Sequence, residues 1–188
     1  SSSEIYGDYN LIMHEDVPFF NSLRLLNDYA MTKLVNEWQI INEIEAHDTK
    51  TVLVRIFNTY GKEYYNEYRS VISRFCYYAL HNLPYTVHLG HKRSFSYIDD
   101  TVNAIANIVD VFIPGEIFNI GSLTQYSIKD VSDLIQKECK DSKSLIEYKD
   151  EEQLTTIEKN IDNHRARKLL GYKESITLEN GIARTVSW

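Results

Sequence analysis

Glycine and proline are scarce in this chain, seven and three among 188 residues. The glycines also stand apart, the nearest two being Gly115 and Gly121, which excludes a glycine-rich phosphate-binding turn of the G-x-G-x-x-G kind within these residues. Cysteine is limited to Cys76 and Cys139. Two cysteines so far apart make neither a disulfide framework nor a zinc site, so both are expected as reduced thiols in a cytoplasmic setting, and no metal site is expected. No run approaches the roughly 18–20 apolar residues that span a bilayer, and the N-terminus has no basic-then-apolar signal. A soluble protein without membrane contact is expected. Basic charge is in deficit, with 20 Lys and Arg against 27 Asp and Glu and a net charge of −7. That balance argues against a nucleic-acid surface, while leaving individual basic residues to grip a phosphate.

What remains is the composition of an ordinary globular chain, 43% hydrophobic and 25% charged, and it is long enough for one good-sized core. Asn21 to Ala46 carries apolar residues at three- and four-residue steps and predicts a helix. "TVLVRIF", Thr51 to Phe57, is short, β-branched and barely alternating, the pattern of a strand covered on both faces in a parallel sheet. Further helices are predicted over 68–81, 99–112, 127–139 and 177–188, with a shorter one in "DNHRARKLLGY" between a capping Asp162 and a terminating Gly171. Ser127 is a good N-cap, and Asp99 and Asp100 are read as caps of the helix they open. Strands are predicted at "YTVHL", "RSFSYI" and "EIFNIGS", and the charged run "YKDEEQL" as a solvated loop. Strands alternating with helices make the fold class α/β.

Tyr29 and Lys33, in "YAMTK", are four apart and so share one face of the predicted helix. An ammonium beside a phenol favours the phenolate, a group able to take a proton. Such a pair is common on ordinary helix surfaces, and gains meaning only from the order of the segments around it.

Those segments are "SSSEIYG", "YAMTK", "RIFNTYG", "RSFSYIDD", "FNIG" and "ARKLLGY" with "TLENGI". In this order the chain resembles the extended short-chain dehydrogenase/reductase family, specifically its NAD-dependent nucleotide-sugar epimerases, dehydratases and decarboxylases. The resemblance implies the C-terminal portion of a Rossmann-like parallel sheet plus a smaller α/β substrate-binding domain. Residues 1–61 correspond to the part of the NAD-binding domain that carries Ser, Tyr and Lys. Residues 62–188 correspond mainly to the substrate domain, with a strand near 116–121 returning to the sheet. The family's cofactor turn precedes the first of these segments, so the 188 residues are expected to be inactive alone.

Residue by residue, the resemblance implies that Ser2 hydrogen-bonds the sugar hydroxyl being oxidised, Tyr29 takes its proton and Lys33 holds the nicotinamide ribose. Asn58 would meet the substrate near its phosphates. Arg93 would clamp the diphosphate with a planar fork of donors that lysine cannot copy, and Arg69 and Lys159 would serve the nucleotide end. Arg55 reads equally as a structural ion-pair member. Glu4 bears on the reaction, because family members that eliminate water or lose carbon dioxide keep a carboxylate two residues after the hydroxyl. Dehydratases of deoxythymidine-linked sugars show Asp-Glu there, whereas this chain has Ser3-Glu4. Epimerase or dehydratase chemistry is thus expected, with uronic-acid decarboxylation or a catalytically silent sugar-nucleotide-binding module as alternatives. The implied partners are a nucleotide-diphosphate sugar and a second copy of the chain, paired through the helix bearing Tyr29.

Overall fold

The structure is a computed structural model that describes residues 1–66, 70–150 and 152–188. It opens with a 3₁₀ turn, Ser3–Tyr6, followed by β1 (Ile12–Met13), α1 (Val17–Phe20) and the long α2 (Asp28–His47). Then come β2 (Leu53–Ile56), β3 (Thr59–Tyr60), α3 (Val71–Leu80), β4 (Tyr85–His88), β5 (Lys92–Ser94), β6 (Ser96–Tyr97) and α4 (Ile98–Asn107). The remainder is β7 (Ile117–Ile120), β8 (Gln125–Ser127), α5 (Ile128–Glu138), β9 (Ile146–Lys149), β10 (Asn160–Ile161), α6 (His164–Leu169) and α7 (Leu178–Val186).

The fold is α/β. β2 pairs with β7 in parallel, Leu53 beside Ile117 through Ile56 beside Ile120. Parallel pairs also join β1 to β10, β3 to β6 and β4 to β9, while β5 and β8 run antiparallel. Ser2 bridges to Ile56 in parallel, which sets the opening turn beside β2. Helices cover this framework through three apolar clusters. The largest joins α3, α5 and α7 around Phe75, Val87, Ile135 and Ile182. A second packs the opening turn on Phe57 and Ile161, and the third packs α4 and α6 on Phe118 and Ile120.

Several boundaries differ from the sequence expectation, each for a local reason. α2 begins at Asp28 rather than Asn21, because the Asn27 side chain accepts from the Ala30 amide at 2.9 Å and takes up an orphan donor of the first turn there. α4 stops at Asn107, after which Ile108, Val109 and Asp110 bond three residues back, tightening the chain out of the α-helix. α3 begins at Val71, and residues 68 and 69 of the expected helix lie outside the described residues. The expected strand "RSFSYI" is two strands that serve different partners, β8 and β3. Tyr148 and Lys149, expected in a loop, belong to β9 beside Val87 and His88.

Asp100 caps a different segment from the one expected. Its Oδ2 accepts from the amides of Ser175 and Ile176 at 3.0 and 3.1 Å, and Asp99 faces Arg184 at 3.6 Å. Asn163 is the N-cap of α6, while Asp162 accepts from the His164 amide at 2.8 Å. Ser127 forms a full capping box with Asp130 at the start of α5. No helix among the described residues is long and apolar enough to cross a membrane.

Candidate active site

Glu4 sits where the chain must reverse. Ser2 caps the 3₁₀ turn, its hydroxyl accepting from the Glu4 amide at 3.3 Å, and Gly7 closes the turn by donating to the Glu4 carbonyl at 3.0 Å. Gly7 has φ +57°, and a Cβ there would lie 2.1 Å from the Arg24 carbonyl oxygen, so only glycine fits. The Glu4 carboxylate pairs with Lys159, whose Nζ also donates to Ser3 Oγ at 3.1 Å. Lys159 is closed to solvent, with its side chain 1% exposed, whereas that of Glu4 is 27% exposed.

Electrostatics sharpen this asymmetry. Burial opposes ionisation of Glu4, yet the charge and hydrogen bond of Lys159, the charge of Arg93 and the Asn27 amide outweigh it and hold the carboxyl below its usual range. For Lys159 burial dominates, aided by the like charge of Arg93, and lowers its pKa against the attraction of Glu4. The result is a carboxylate that stays ionised beside an ammonium that gives up its proton more readily than a free one.

Tyr29 and Lys33 stand on one face of α2, Lys33 Nζ lying 5.4 Å from the centroid of the Tyr29 ring. Tyr29 is exposed and Lys33 partly so. Asn27, the cap of this same helix, helps to hold the Glu4 carboxyl below its usual range, and α2 packs against the opening turn.

Arg93 is buried, its Nη1 donating to the carbonyls of Lys92 at 2.7 Å and Ile157 at 2.9 Å. Burial lowers its pKa against the pull of Glu4 and Glu152, and a guanidinium remains charged at neutral pH regardless. Asn58 follows β2 and donates to the Ser94 carbonyl at 3.1 Å. Asn58, Arg93, His91 and Glu152, with Phe75 and Phe95, line a cavity of about 190 Å³. That is smaller than the roughly 300–1,000 Å³ of a drug-sized ligand site and suits one ring and a charged group.

The structure therefore sets Lys159 against the Glu4 carboxylate and Ser2 Oγ on the Glu4 amide, with the Arg93 charge acting on the same carboxylate, places Tyr29 and Lys33 together on α2, and sets Asn58 beside Arg93 in the cavity wall. Lys159 lies with Glu4 and Ser3 at the opening turn. Arg69 lies outside the described residues. Arg55 is a structural group, with Nε and Nη2 bonded to Glu37 at 3.0 and 2.8 Å and Nη1 to Tyr6 Oη at 3.0 Å, all buried. Among the described residues no cluster of His, Cys, Asp and Glu has the form of a metal site. Sequence reasoning passed over His91, a buried member of the cavity wall. Its one signal is position, two residues before Arg93 and so on the same side of an extended segment.

The chain is similar in sequence and fold to known proteins. The chain is 28% identical over its whole length to UDP-glucuronic acid decarboxylase 1 of Danio rerio, covering 46% of that protein. It is 26% identical to the dTDP-D-glucose 4,6-dehydratase of Mus musculus, again over its whole length, covering 54%. It thus spans about half the length of the curated relatives it matches. Its fold superposes on the UDP-glucuronic acid 4-epimerase of Bacillus cereus, solved with UDP-glucuronic acid and NAD, with a TM-score of 0.88 at 24% identity, covering all of this chain and 59% of that one. The family description "NAD dependent epimerase/dehydratase family" matches residues 1–121. Because that stretch is more than half of the chain, the chain belongs to the NAD-dependent epimerase/dehydratase family.

Proposed function

We propose that this chain supplies the proton-transfer and substrate-binding groups of an enzyme that acts on a nucleotide-diphosphate sugar by transient oxidation, with epimerase or dehydratase chemistry first and uronic-acid decarboxylation as the second reading. The observation that carries it is a partly open Glu4 carboxylate held at the opening turn by the buried Lys159, which also bonds Ser3. The second reading is supported by the 28% identity to a UDP-glucuronic acid decarboxylase.

In this reading Ser2 Oγ orients the sugar hydroxyl, Tyr29 Oη takes its proton and Lys33 Nζ steadies Tyr29. Glu4 exchanges a proton at the neighbouring carbon, an assistance worth typically 10²–10⁴-fold in rate. Lys159 positions Glu4 and keeps it ionised. Arg93 and Asn58 bind the diphosphate and the group beyond it, with Arg69 a further candidate at the nucleotide end. The division into residues 1–61 and 62–188 stands as part of the same proposal.

The donor set fits the nicotinamide ribose end of NAD, an exposed phenol and ammonium one helical turn apart on α2. When bound, NAD supplies a hydride acceptor for the sugar carbon. No glycine-rich turn for the pyrophosphate occurs in the 188 residues, so these residues by themselves should bind NAD weakly and turn nothing over. The exposed Met31, Val35 and Trp38 of α2 are read as the face that meets a second copy of the chain.

The deciding experiment joins these residues to an NAD-binding region of the family and incubates the product with a panel of nucleotide-sugars. A 4-keto product, released carbon dioxide or an inverted hydroxyl identifies the branch. Tyr29→Phe should abolish all three while leaving the fold intact, and undiminished turnover in that variant would overturn the reading.

A further inference from the structure

His91 is only 2% exposed, yet both its ring nitrogens are engaged by a single stretch of backbone. The Glu152 amide approaches Nε2 at 2.8 Å, and Nδ1 lies 3.2 Å from the Thr156 carbonyl oxygen. A backbone N–H can only donate and a carbonyl can only accept. Nε2 must therefore be the bare nitrogen, and Nδ1 must carry the hydrogen. The ring is neutral and held in one tautomer by its partners. Its own backbone is fixed separately, the Ile128 amide donating to the His91 carbonyl at 3.2 Å.

Both partners belong to the strap 152–159, which touches each end of the proposed site. The Ile157 carbonyl accepts from the Lys92 amide at 3.0 Å and from Arg93 Nη1 at 2.9 Å. Thr156 Oγ1 donates to the Gly7 carbonyl at 2.7 Å, next to the turn that bears Glu4. Three residues on, Lys159 meets Glu4 and Ser3. His91 thus fastens the first part of the segment that links Arg93 to Glu4.

We propose that His91 is a positioning residue, a proton-sensitive lock on this strap. With the ring neutral, the strap holds Arg93 and Lys159 in place. Uptake of a proton from solvent at Nε2 sets an N–H against the Glu152 N–H. That hydrogen bond is lost, the strap loosens and the grip of Arg93 on a diphosphate weakens. Among the described residues, the charged and titratable groups that line the cavity with the ring are Arg93 and His88 on its own segment, Glu152 on the strap, and Arg74 of α3, with Lys92 its neighbour in the chain. The His88 ring lies 6.5 Å away and is itself bonded through Nδ1 to the Asp150 carbonyl at 3.0 Å. Only the diphosphate part rests on the reading of the site as a nucleotide-sugar site.

The test uses the whole chain and ¹⁵N NMR of its histidine rings from about pH 8 to about pH 5.5. His91 should show a protonated Nδ1 and a bare Nε2 at the upper end, and the amides of Glu152 and of Lys92, which donates to the Ile157 carbonyl, should shift with the same midpoint as the ring. Hydrogen-exchange protection of those amides, after correction for intrinsic rates, should fall about tenfold or more across the range, a loss of about 1.4 kcal/mol. His91→Gln, which keeps a neutral acceptor for the Glu152 amide, should remove that pH dependence; if it does not fold, the wild-type spectra alone decide. The opposite tautomer, or strap amides indifferent to ring protonation, overturns the lock. UDP serves as the diphosphate probe. Its affinity should fall more steeply with acid in the wild type than in His91→Gln, and equal slopes overturn the coupling to Arg93. A responsive strap with no UDP binding at either pH refutes the nucleotide reading and leaves the lock standing.

Discussion

Lys159 and Glu4 lie 155 positions apart in the chain and form an ion pair whose cation is sealed from solvent while its carboxylate opens on one side. The unequal burial makes the two halves unequal in energy. Glu4→Gln leaves a buried ammonium facing a neutral amide, whereas Lys159→Met leaves a carboxylate that water still reaches. Breaking a fully buried pair costs about 3–5 kcal/mol. Because Glu4 is partly open, Glu4→Gln should cost less, about 1–3 kcal/mol, and Lys159→Met less again. The double variant should recover part of the loss. Urea denaturation of the four proteins checks this, and equal losses in the two single variants would contradict it.

The same pair sets an acid limb of stability. Glu4 has a folded pKa below its unfolded value. Its contribution is therefore complete above the ordinary carboxyl range and is lost as pH falls through the lowered folded value. Thermal unfolding across the acid range should show a shallower decline in Glu4→Gln than in the wild type.

Arg55 and Glu37 form a second pair, buried on both sides at 2.8 Å. Arg55→Met strands the Glu37 carboxylate under α2 and removes the bond to Tyr6, so a loss of about 3–5 kcal/mol is expected. Arg55→Met with Glu37→Leu should be much closer to wild type. A double-mutant cycle in urea measures the coupling, and a near-zero coupling energy would refute it.

These two pairs mark where the sequence was readable and where it was not. The buried strands β2 and β7 and the box-capped α5 are written in local chemistry, β-branched runs and a serine three residues before an aspartate, and they stand close to where the sequence placed them. The two-residue strands β1 and β10 are written nowhere locally, because Ile12 and Met13 find their partners at Asn160 and Ile161 only once the chain has folded. The site divides in the same way. Helical spacing alone puts Tyr29 and Lys33 on one face. Nothing in "IEKNI" announces that Lys159 is buried against Glu4, nor does a lone histidine after Gly90 announce a locked ring. Charged residues in polar runs look solvated until tertiary contacts enclose them.

Gly7 offers a test of the turn that carries Glu4. With φ at +57° and the Arg24 carbonyl where a side chain would start, Gly7→Ala is both strained and crowded. It should lose more than the roughly 0.4–1 kcal/mol that a compatible glycine-to-alanine change gains, and the Glu4 and Asp8 amides, bonded to Ser2 Oγ and the Arg24 carbonyl, should lose exchange protection before the amides of α5 do. Stability unchanged within about 0.5 kcal/mol, the range of neutral surface substitutions, would show that the turn is free to shift.

Fourteen tyrosines in a chain of this size predict a steep alkaline limb. Burial foremost, with Arg55 and Asn119 opposing and Glu15 aiding, pushes the Tyr6 phenol up from its ordinary 10 to about 12. Burial does the same for Tyr172, to about 12, against its bond with Ser96, and Tyr60 is raised for the same leading reason. A folded pKa above the unfolded one means stability that is complete below about pH 10 and is lost as pH climbs toward the folded value, because only the unfolded chain ionises in between. At about 1.4 kcal/mol per pH unit, Tyr6 and Tyr172 each stand to remove up to about 3 kcal/mol between pH 10 and 12. Circular dichroism and tyrosinate absorbance recorded together should show the exposed phenols titrating first and the buried ones ionising in step with loss of structure. Tyr6→Phe should move that transition to higher pH, at the cost of the hydrogen bonds to Arg55 and Asn119. Buried phenols that titrate smoothly in a chain still folded at pH 12 would show that the three cores admit hydroxide without opening.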